Sequence, residues 1–256
     1  MSRIFVLGAP DPEMDAIQAL LDEHGERFTF AMVGDHRVHA GNAYTATRTR
    51  NEIEPGEHVI TIECDVRGLR VSRVIDHHRP GDPGYACSPE RYWEGSSYGQ
   101  LHILMGLEPT DQARIIAAAD HCVTAAYASK CPGVDPLALK QWRLQSRAER
   151  RGVPLEVMEK NINEAITRLR QLDRTVIAGH EYANAIGHDI PEVPEASAIS
   201  GIAVMHVYVE PKSQREKVSV LGGTPEAIRA WQAWASTFLA DVYGNPNRGY
   251  AGGYAP

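Results

Sequence analysis

The sequence predicts an α/β protein: a doubly wound, mostly parallel sheet domain with a smaller C-terminal α+β domain. Three observations lead there. Short apolar runs at 4–7, 28–33, 59–63 and 71–75 are separated by helical spacing or by turn residues. Acids and histidines stand just past such runs, at the carboxyl ends of strands where ligands of open parallel sheets bind. Beyond the proline-flanked PEVP at 191–194, two more strand-like runs and one amphipathic helix follow.

The first strand, Ile4-Phe5-Val6-Leu7, is closed by Gly8 and a Pro-Asp-Pro turn. Apolar Met14, Ile17, Leu20 and Leu21 then recur at helical spacing, with Asp11, Glu13 and Asp15 at the junction. Residues 28–33 form a second strand. Residues 36–50, containing Gly-Asn-Ala-Tyr-Thr-Ala, lack periodicity and read as an irregular insertion. The strands 59–63 and 71–75 end at Cys64-Asp65 and at Asp76-His77-His78. After the turn PGDPG at 80–84, helices are expected over 89–105 and 110–128. Residues 135–172 read as a helix pair broken at 151–154. Strands follow at 199–209 and 217–221. Thr224 is the expected N-cap, and Pro225 the first residue, of a helix whose stripe Ile228, Trp231, Ala235, Phe238 and Val242 is core. The expected division is a sheet domain over 1–130, a helical connector over 131–190 and a C-terminal domain over 191–256.

At 256 residues, 43% hydrophobic and 23% charged, the chain can bury a sizeable core. No apolar run is long enough to cross a bilayer, and MSRIFVLGAPD enters a strand with no cleavable leader pattern. A cytoplasmic protein without a membrane partner is expected. The formal charge of −7 opposes binding of long nucleic acid, while a local positive pocket leaves small phosphorylated substrates open. The arginine-rich words at 48–50 and 147–151 read as solvated faces beside acids. Cys64, Cys87, Cys122 and Cys131 form no C-x-x-C pair, so neither zinc spacing nor a disulfide framework is indicated.

The chemistry is carried by Asp15, Asp65, the triplet Asp76-His77-His78 and Asp120 in AAADHC. Carboxylates mixed with imidazole suit Mn²⁺, Mg²⁺ or iron better than a thiolate-seeking metal. Neighbouring strand residues face opposite sides, so one histidine of the pair is expected to ligate and the other to face substrate or a supporting group. Asn42, Tyr44 and Arg48 in the insertion are candidate substrate contacts. Arg79, next to the triplet, is the strongest of this group.

Over roughly residues 1–130 this order of motifs resembles the DHH phosphoesterase superfamily, with VIDHH the most specific word. The resemblance implies a metal role for Asp15, Asp65, His77 and Asp120, Asp65 bridging two ions. It implies that Asp76 orients a histidine and that His78 faces the phosphate. The first motif departs from the family: Ala9 stands where a histidine is usual and Glu13 where an aspartate is usual. Asp11 or Glu13 would have to complete that metal position, so one or two Mn²⁺ (or Mg²⁺) ions are both open. The family's C-terminal substrate domain carries a glycine-rich motif with histidine. Here Arg248-Gly249-Tyr250-Ala251-Gly252-Gly253 stands in a comparable place, without histidine. Arg248, Gly252 and Gly253 would grip an anion through a guanidinium and backbone N–H groups, or the segment is a flexible tail.

The implied activity is metal-dependent hydrolysis of a small nucleotide, dinucleotide or short oligonucleotide phosphoester. His78, Asp76 and Arg79 would do chemistry, and Asn42, Arg248, Gly252 and Gly253 would hold substrate. Two rivals stay open: a catalytically degenerate nucleotide-binding protein of the same fold, and a hydrolase using the same site on a non-phosphate substrate. A homodimer is compatible with the sequence.

Overall fold

The computed structural model describes residues 2–85, 87–209 and 214–256. Its contacts divide the chain into two compact units, Met1–His121 with Cys131–Val134, and Cys122–Lys130 with Asp135–Pro256. The architecture is mixed α/β: a mostly parallel N-terminal sheet with helices and a mixed C-terminal sheet with helices.

The first unit opens with β1 (Arg3–Leu7), α1 (Pro12–Glu23), β2 (Arg27–Val33), β3 (His36–Arg37) and β4 (Arg48–Thr49). β5 (His58–Ile62) and β6 (Arg73–Ile75) complete its sheet. The strands β2, β1, β5 and β6 lie side by side in that order and all run parallel; the short β3 and β4 pair antiparallel with β2. Alternation divides β1 between two cores. Ile4 and Val6 pack with Ala31, Val59 and Val66, and with Val38, Ala43 and Ala46 from the irregular insertion. Phe5 and Leu7, on the opposite face, are fully buried. The helices α2 (Tyr92–Gly95), α3 (Ser97–Met105) and α4 (Asp111–His121) follow, and α1, α3 and α4 pack on one another.

Because β1 leads to β2 on one side while β5 flanks it on the other, the strand order reverses between β1 and β5. The carboxyl ends of those two strands are therefore the place where such a sheet opens a binding crevice. They meet closely there. The Gly8 N–H donates to the Ile62 carbonyl at 3.0 Å, and a Cβ on Gly8 would lie 2.3 Å from the Glu63 carbonyl oxygen. Only glycine allows that approach.

The second unit contains α5 (Val123–Tyr127), α6 (Pro136–Arg151), α7 (Leu155–Gln171), β7 (Arg174–Ile177), β8 (His180–Asn184) and α8 (Val193–Ser200). It continues with β9 (Val204–Val209), β10 (Glu216–Leu221), α9 (Pro225–Ala235), β11 (Ala240–Asn245) and β12 (Tyr250–Tyr254). The sheet order is β11-β12-β10-β9-β8-β7, antiparallel except for the β8–β9 pair. Thr224 caps α9 by accepting from the Ala227 N–H, with Pro225 in the first turn. Ile228, Trp231 and Ala235 then seat on Tyr182, Met205, Val220 and Ala251.

Several sequence expectations are corrected. Residues 174–184, read within a helical connector, form the hairpin β7–β8; polar His180, Glu181 and Asn184 masked the strand, while Tyr182 and Ala183 are its buried residues. The helix expected over 89–105 is a 3₁₀ turn (Pro89–Arg91), α2 and α3, interrupted where the Ser96 hydroxyl caps α3. The one expected over 110–128 breaks at Cys122. Residues 199 and 200 belong to α8, which ends at left-handed Gly201 before β9 begins. Phe238 lies past α9 and is 45% exposed. The closing glycine-rich segment is neither a loop nor a tail. It is β11, a 3₁₀ turn (Pro246–Arg248) and β12, which pairs with β10 and β11.

Candidate metal centre

Four side chains from three strand or helix ends converge in the first unit. Glu63, His77, His78 and Asp120 offer ligand atoms that all lie within 4.8 Å of one another. His77 Nε2 is 3.0 Å from Asp120 Oδ2 and 3.4 Å from Glu63 Oε1. Glu63 follows β5 directly. Its backbone takes the left-handed conformation, φ 52°, which costs a non-glycine residue of order 1–3 kcal/mol and recurs at functional sites. Asp120 is delivered by the last turn of α4, whose buried Ala117, Ala118 and Ala119 let that helix approach its neighbours closely.

His77 and His78 both join the group. β6 ends at Ile75, so the triplet has left the strand and the alternation rule no longer separates them. Asp76 sets the local geometry instead. Its Oδ1 accepts from the backbone N–H of His77 at 2.7 Å and of His78 at 3.0 Å, and lies 3.0 Å from His78 Nδ1. The Tyr44 hydroxyl donates to its Oδ2 at 2.9 Å. Burial pushes the Asp76 carboxyl up, but the bonds and charge of His78 outweigh it and hold the group below its ordinary value.

The other acids behave in the opposite way. Burial raises Glu63, and the negative charges of Asp120 and Asp76 add to the rise against the pull of His78. Asp11 is pushed up to about 8 by burial and then by the charges of Glu63 and Asp120, although the Met14 N–H donates to it. Glu13, 1% exposed, is held well above its ordinary value by burial, then by Asp120 and Glu63. One oxygen of Glu13 accepts from the Tyr98 N–H at 3.0 Å. Its other oxygen, and Glu63 Oε1, are buried with no hydrogen bond among the described residues.

Two expected ligands lie elsewhere. Asp65 is exposed; its backbone joins the insertion, N–H to the Ala43 carbonyl and C=O to the Ala46 N–H. The left-handed turn at Glu63 sends that residue, two positions earlier, into the group instead. Asp15 is exposed on α1 and its charge acts on Arg37. Asn42 accepts from the His39 N–H and so shapes the insertion. Arg48 pairs with Asp35 at 2.8 Å. Arg79 stacks 3.8 Å above the Tyr44 ring, beside the triplet. In the second unit, Gly252 and Gly253 are buried in β12, Gly252 between β10 and β11 and Gly253 opposite Val218 of β10, within a sheet rather than in an open anion-gripping loop. Arg248 lies 6.0 Å from the Tyr250 ring.

Sequence reasoning missed Glu63, and missed that His121 stands against the cluster, its Nδ1 3.0 Å from His77 Nδ1. Glu63 ends an apolar run and looked like its last strand residue; nothing in the letters signals a positive φ. His121 stands in the word ADHC, a second Asp-His pair, which was the available hint.

Fold and site thus define an α/β protein with a carboxylate–imidazole cluster able to hold a metal ion. Among solved structures the chain is similar to the pGpG-specific phosphodiesterase PggH from Vibrio cholerae, over 99% of this chain and 93% of that one, at 10% identity and a TM-score of 0.44. A likeness of that strength decides nothing about activity. No family model and no curated protein matches the sequence.

Proposed function

We propose that this chain is a metal-dependent phosphoesterase, a divergent member of the DHH superfamily, that hydrolyses a small nucleotide, dinucleotide or short oligonucleotide. The observation that carries the reading is the convergence of Glu63, His77, His78 and Asp120 beyond the carboxyl ends of parallel strands. The donor set fits a divalent cation. Among the described residues two buried carboxylate oxygens lack hydrogen bonds, and no arginine or lysine forms an ion pair with Glu63, Glu13 or Asp11. Two imidazoles beside carboxylates favour Mn²⁺ or iron over Mg²⁺.

When bound, such an ion lowers the pKa of a coordinated water and neutralises phosphoryl charge. The protein supplies the rest. Asp76 fixes both histidines, and Tyr44 fixes Asp76. Arg79, spread over Tyr44, is placed to meet the negative charge that grows on phosphoryl oxygens. Ala9 packs at the edge of the β1 core and offers no ligand, which favours one ion over two.

The second unit presents its own anion-seeking surface. Lys217 lies half-buried among the rings of Tyr208, Tyr243 and Tyr254, at 4.7–6.0 Å from their centroids. It has no carboxylate partner among the described residues. In place of the Gly252 and Gly253 backbone, that ammonium and those rings suit a phosphate with an attached base.

The test is a panel of nucleotides and short oligonucleotides incubated with Mn²⁺. Cleavage is expected from the wild type and from Asp65→Ala, and a loss of at least about 100-fold from Glu63→Gln and His77→Ala. Mn²⁺-dependent cleavage undiminished in Glu63→Gln would reject the assignment. Mn²⁺ uptake without cleavage of any panel member would favour the nucleotide-binding rival, which the missing ligand at Ala9 also motivates.

A further inference from the structure

Behind the metal-binding group lies a second buried imidazole that none of the roles above uses. His121 is 2% exposed. Its ring fills the space where a Cβ on Gly95 would stand, 2.6 Å from Cε1, so glycine at 95 is what admits it. Its Nε2 is 3.1 Å from the Cys87 carbonyl oxygen, and its Nδ1 is 3.0 Å from His77 Nδ1.

These two distances decide where the hydrogens sit. A carbonyl only accepts, so His121 Nε2 carries a hydrogen. A neutral imidazole has one N–H, which leaves His121 Nδ1 as a lone pair. Two lone pairs facing each other at 3.0 Å would repel, so His77 Nδ1 carries the hydrogen and donates. His77 Nε2 is then the nitrogen turned to Glu63 at 3.4 Å and Asp120 at 3.0 Å. A cation bound there meets its lone pair, whereas without one a hydrogen shared with the Asp120 carboxylate must relieve that approach. The competing arrangement puts the only His77 hydrogen on Nε2, facing Asp120. It reverses the chain and sets a His121 lone pair against the Cys87 carbonyl.

We propose that His121 is a positioning residue that relays the Cys87 carbonyl to His77 and so presents Nε2 as a ready-made metal ligand. The inference rests on the metal-centre reading and extends it. Histidine ligands commonly donate their second N–H to a carboxylate, a carbonyl or water, and removing that partner weakens metal binding by about 10–100-fold. Here a second histidine takes the place of those partners.

The experiment uses the full chain and two readouts. Long-range ¹H–¹⁵N correlation spectra of the metal-free protein should show His77 protonated on Nδ1 and His121 protonated on Nε2 alone. Titration with Mn²⁺ should show His121→Phe binding about 10–100-fold more weakly than wild type. His121→Asn, whose Oδ1 can still accept from His77, should bind near the wild-type value. A merely structural ring would be satisfied by phenylalanine as well as by asparagine. The proposal is overturned by an unprotonated His77 Nδ1, by His121→Phe binding Mn²⁺ as tightly as wild type, or by His121→Asn doing no better than His121→Phe. A wild-type protein that takes up no Mn²⁺ would instead overturn the metal-centre reading, and the spectra would still accept or reject the relay. If His121→Phe fails to fold, the spectra and the asparagine variant decide.

Discussion

Buried glutamates occur in both units, and their surroundings are opposites. In the second, Glu195 is 1% exposed and is gripped by Arg143 through contacts of 2.9 and 2.5 Å, with the Tyr127 hydroxyl donating at 2.5 Å. Burial pushes its carboxyl up, but Arg143, Tyr127 and Arg147 bring it below the ordinary range. Neighbouring Glu192 is held by Arg147 and Arg151. In the first unit, Glu63 and Glu13 are buried and Asp11 is half-buried among other acids, and all three are raised. Among the described residues, the same residue type thus has an internal counter-charge in one unit and histidines and like charges in the other. Burial of a carboxylate is unfavourable unless it is paired. The first set therefore leaves negative charge that a cation from outside the chain could balance, whereas the second is balanced as folded.

The largest expected effect tests the complete set. Arg143→Met leaves Glu195 with weaker compensation and should cost about 3–5 kcal/mol, read from the urea midpoint at neutral pH. A loss under about 1 kcal/mol would mean that Glu195 does not depend on its arginine. Next comes the incomplete set. Mn²⁺ at about 100 times its dissociation constant should raise apparent stability by about 2.7 kcal/mol. Glu63→Gln should abolish that gain and Asp65→Asn should keep it; the reverse pattern would restore the ligand expected from the sequence.

A pH series sharpens the contrast. Asp11 has a folded pKa of about 8, above the unfolded value near 3.9. The metal-free fold therefore binds the proton more tightly than the unfolded chain does. Its contribution is full below the unfolded value and falls as pH rises toward about 8, by up to about 1.4 kcal/mol per pH unit. Glu195 is lowered, so its contribution is present at neutral pH and is lost as pH falls below the carboxylate range. Asp11→Asn should flatten the first slope and Glu195→Gln the second, measured by urea unfolding from about pH 2 to about pH 9. The smallest effect is expected from Tyr44→Phe, which removes one donor to Asp76 and should cost about 1 kcal/mol. No change in thermal midpoint would mean that the tyrosine does not support the triplet.

Much of this was legible in the letters. β1, β2, β5 and β6 could be read because buried parallel strands are short apolar runs, and the α9 cap because Thr-Pro is a local signal. The hairpin β7–β8 and strand β12 were hidden because their apolar residues are few: β12 is Tyr-Ala-Gly-Gly-Tyr, and its place between β10 and β11 comes from partners that lie far away in sequence. The site divided along the same line. His77 and Asp120 were legible from their motif words, whereas choosing Glu63 over Asp65 depended on one backbone angle.

The sequence by itself determined the class of fold, the presence of the Asp-His-His turn after a strand, and a chemistry of carboxylates with imidazoles, because these follow from local pattern and side-chain type. Only the tertiary structure decided which acids share the group, that both histidines reach it, and that His121 stands behind His77. Those outcomes depend on where separate strand and helix ends arrive in space. A single left-handed residue at such an end redirects a side chain without changing any pattern that can be read along the chain.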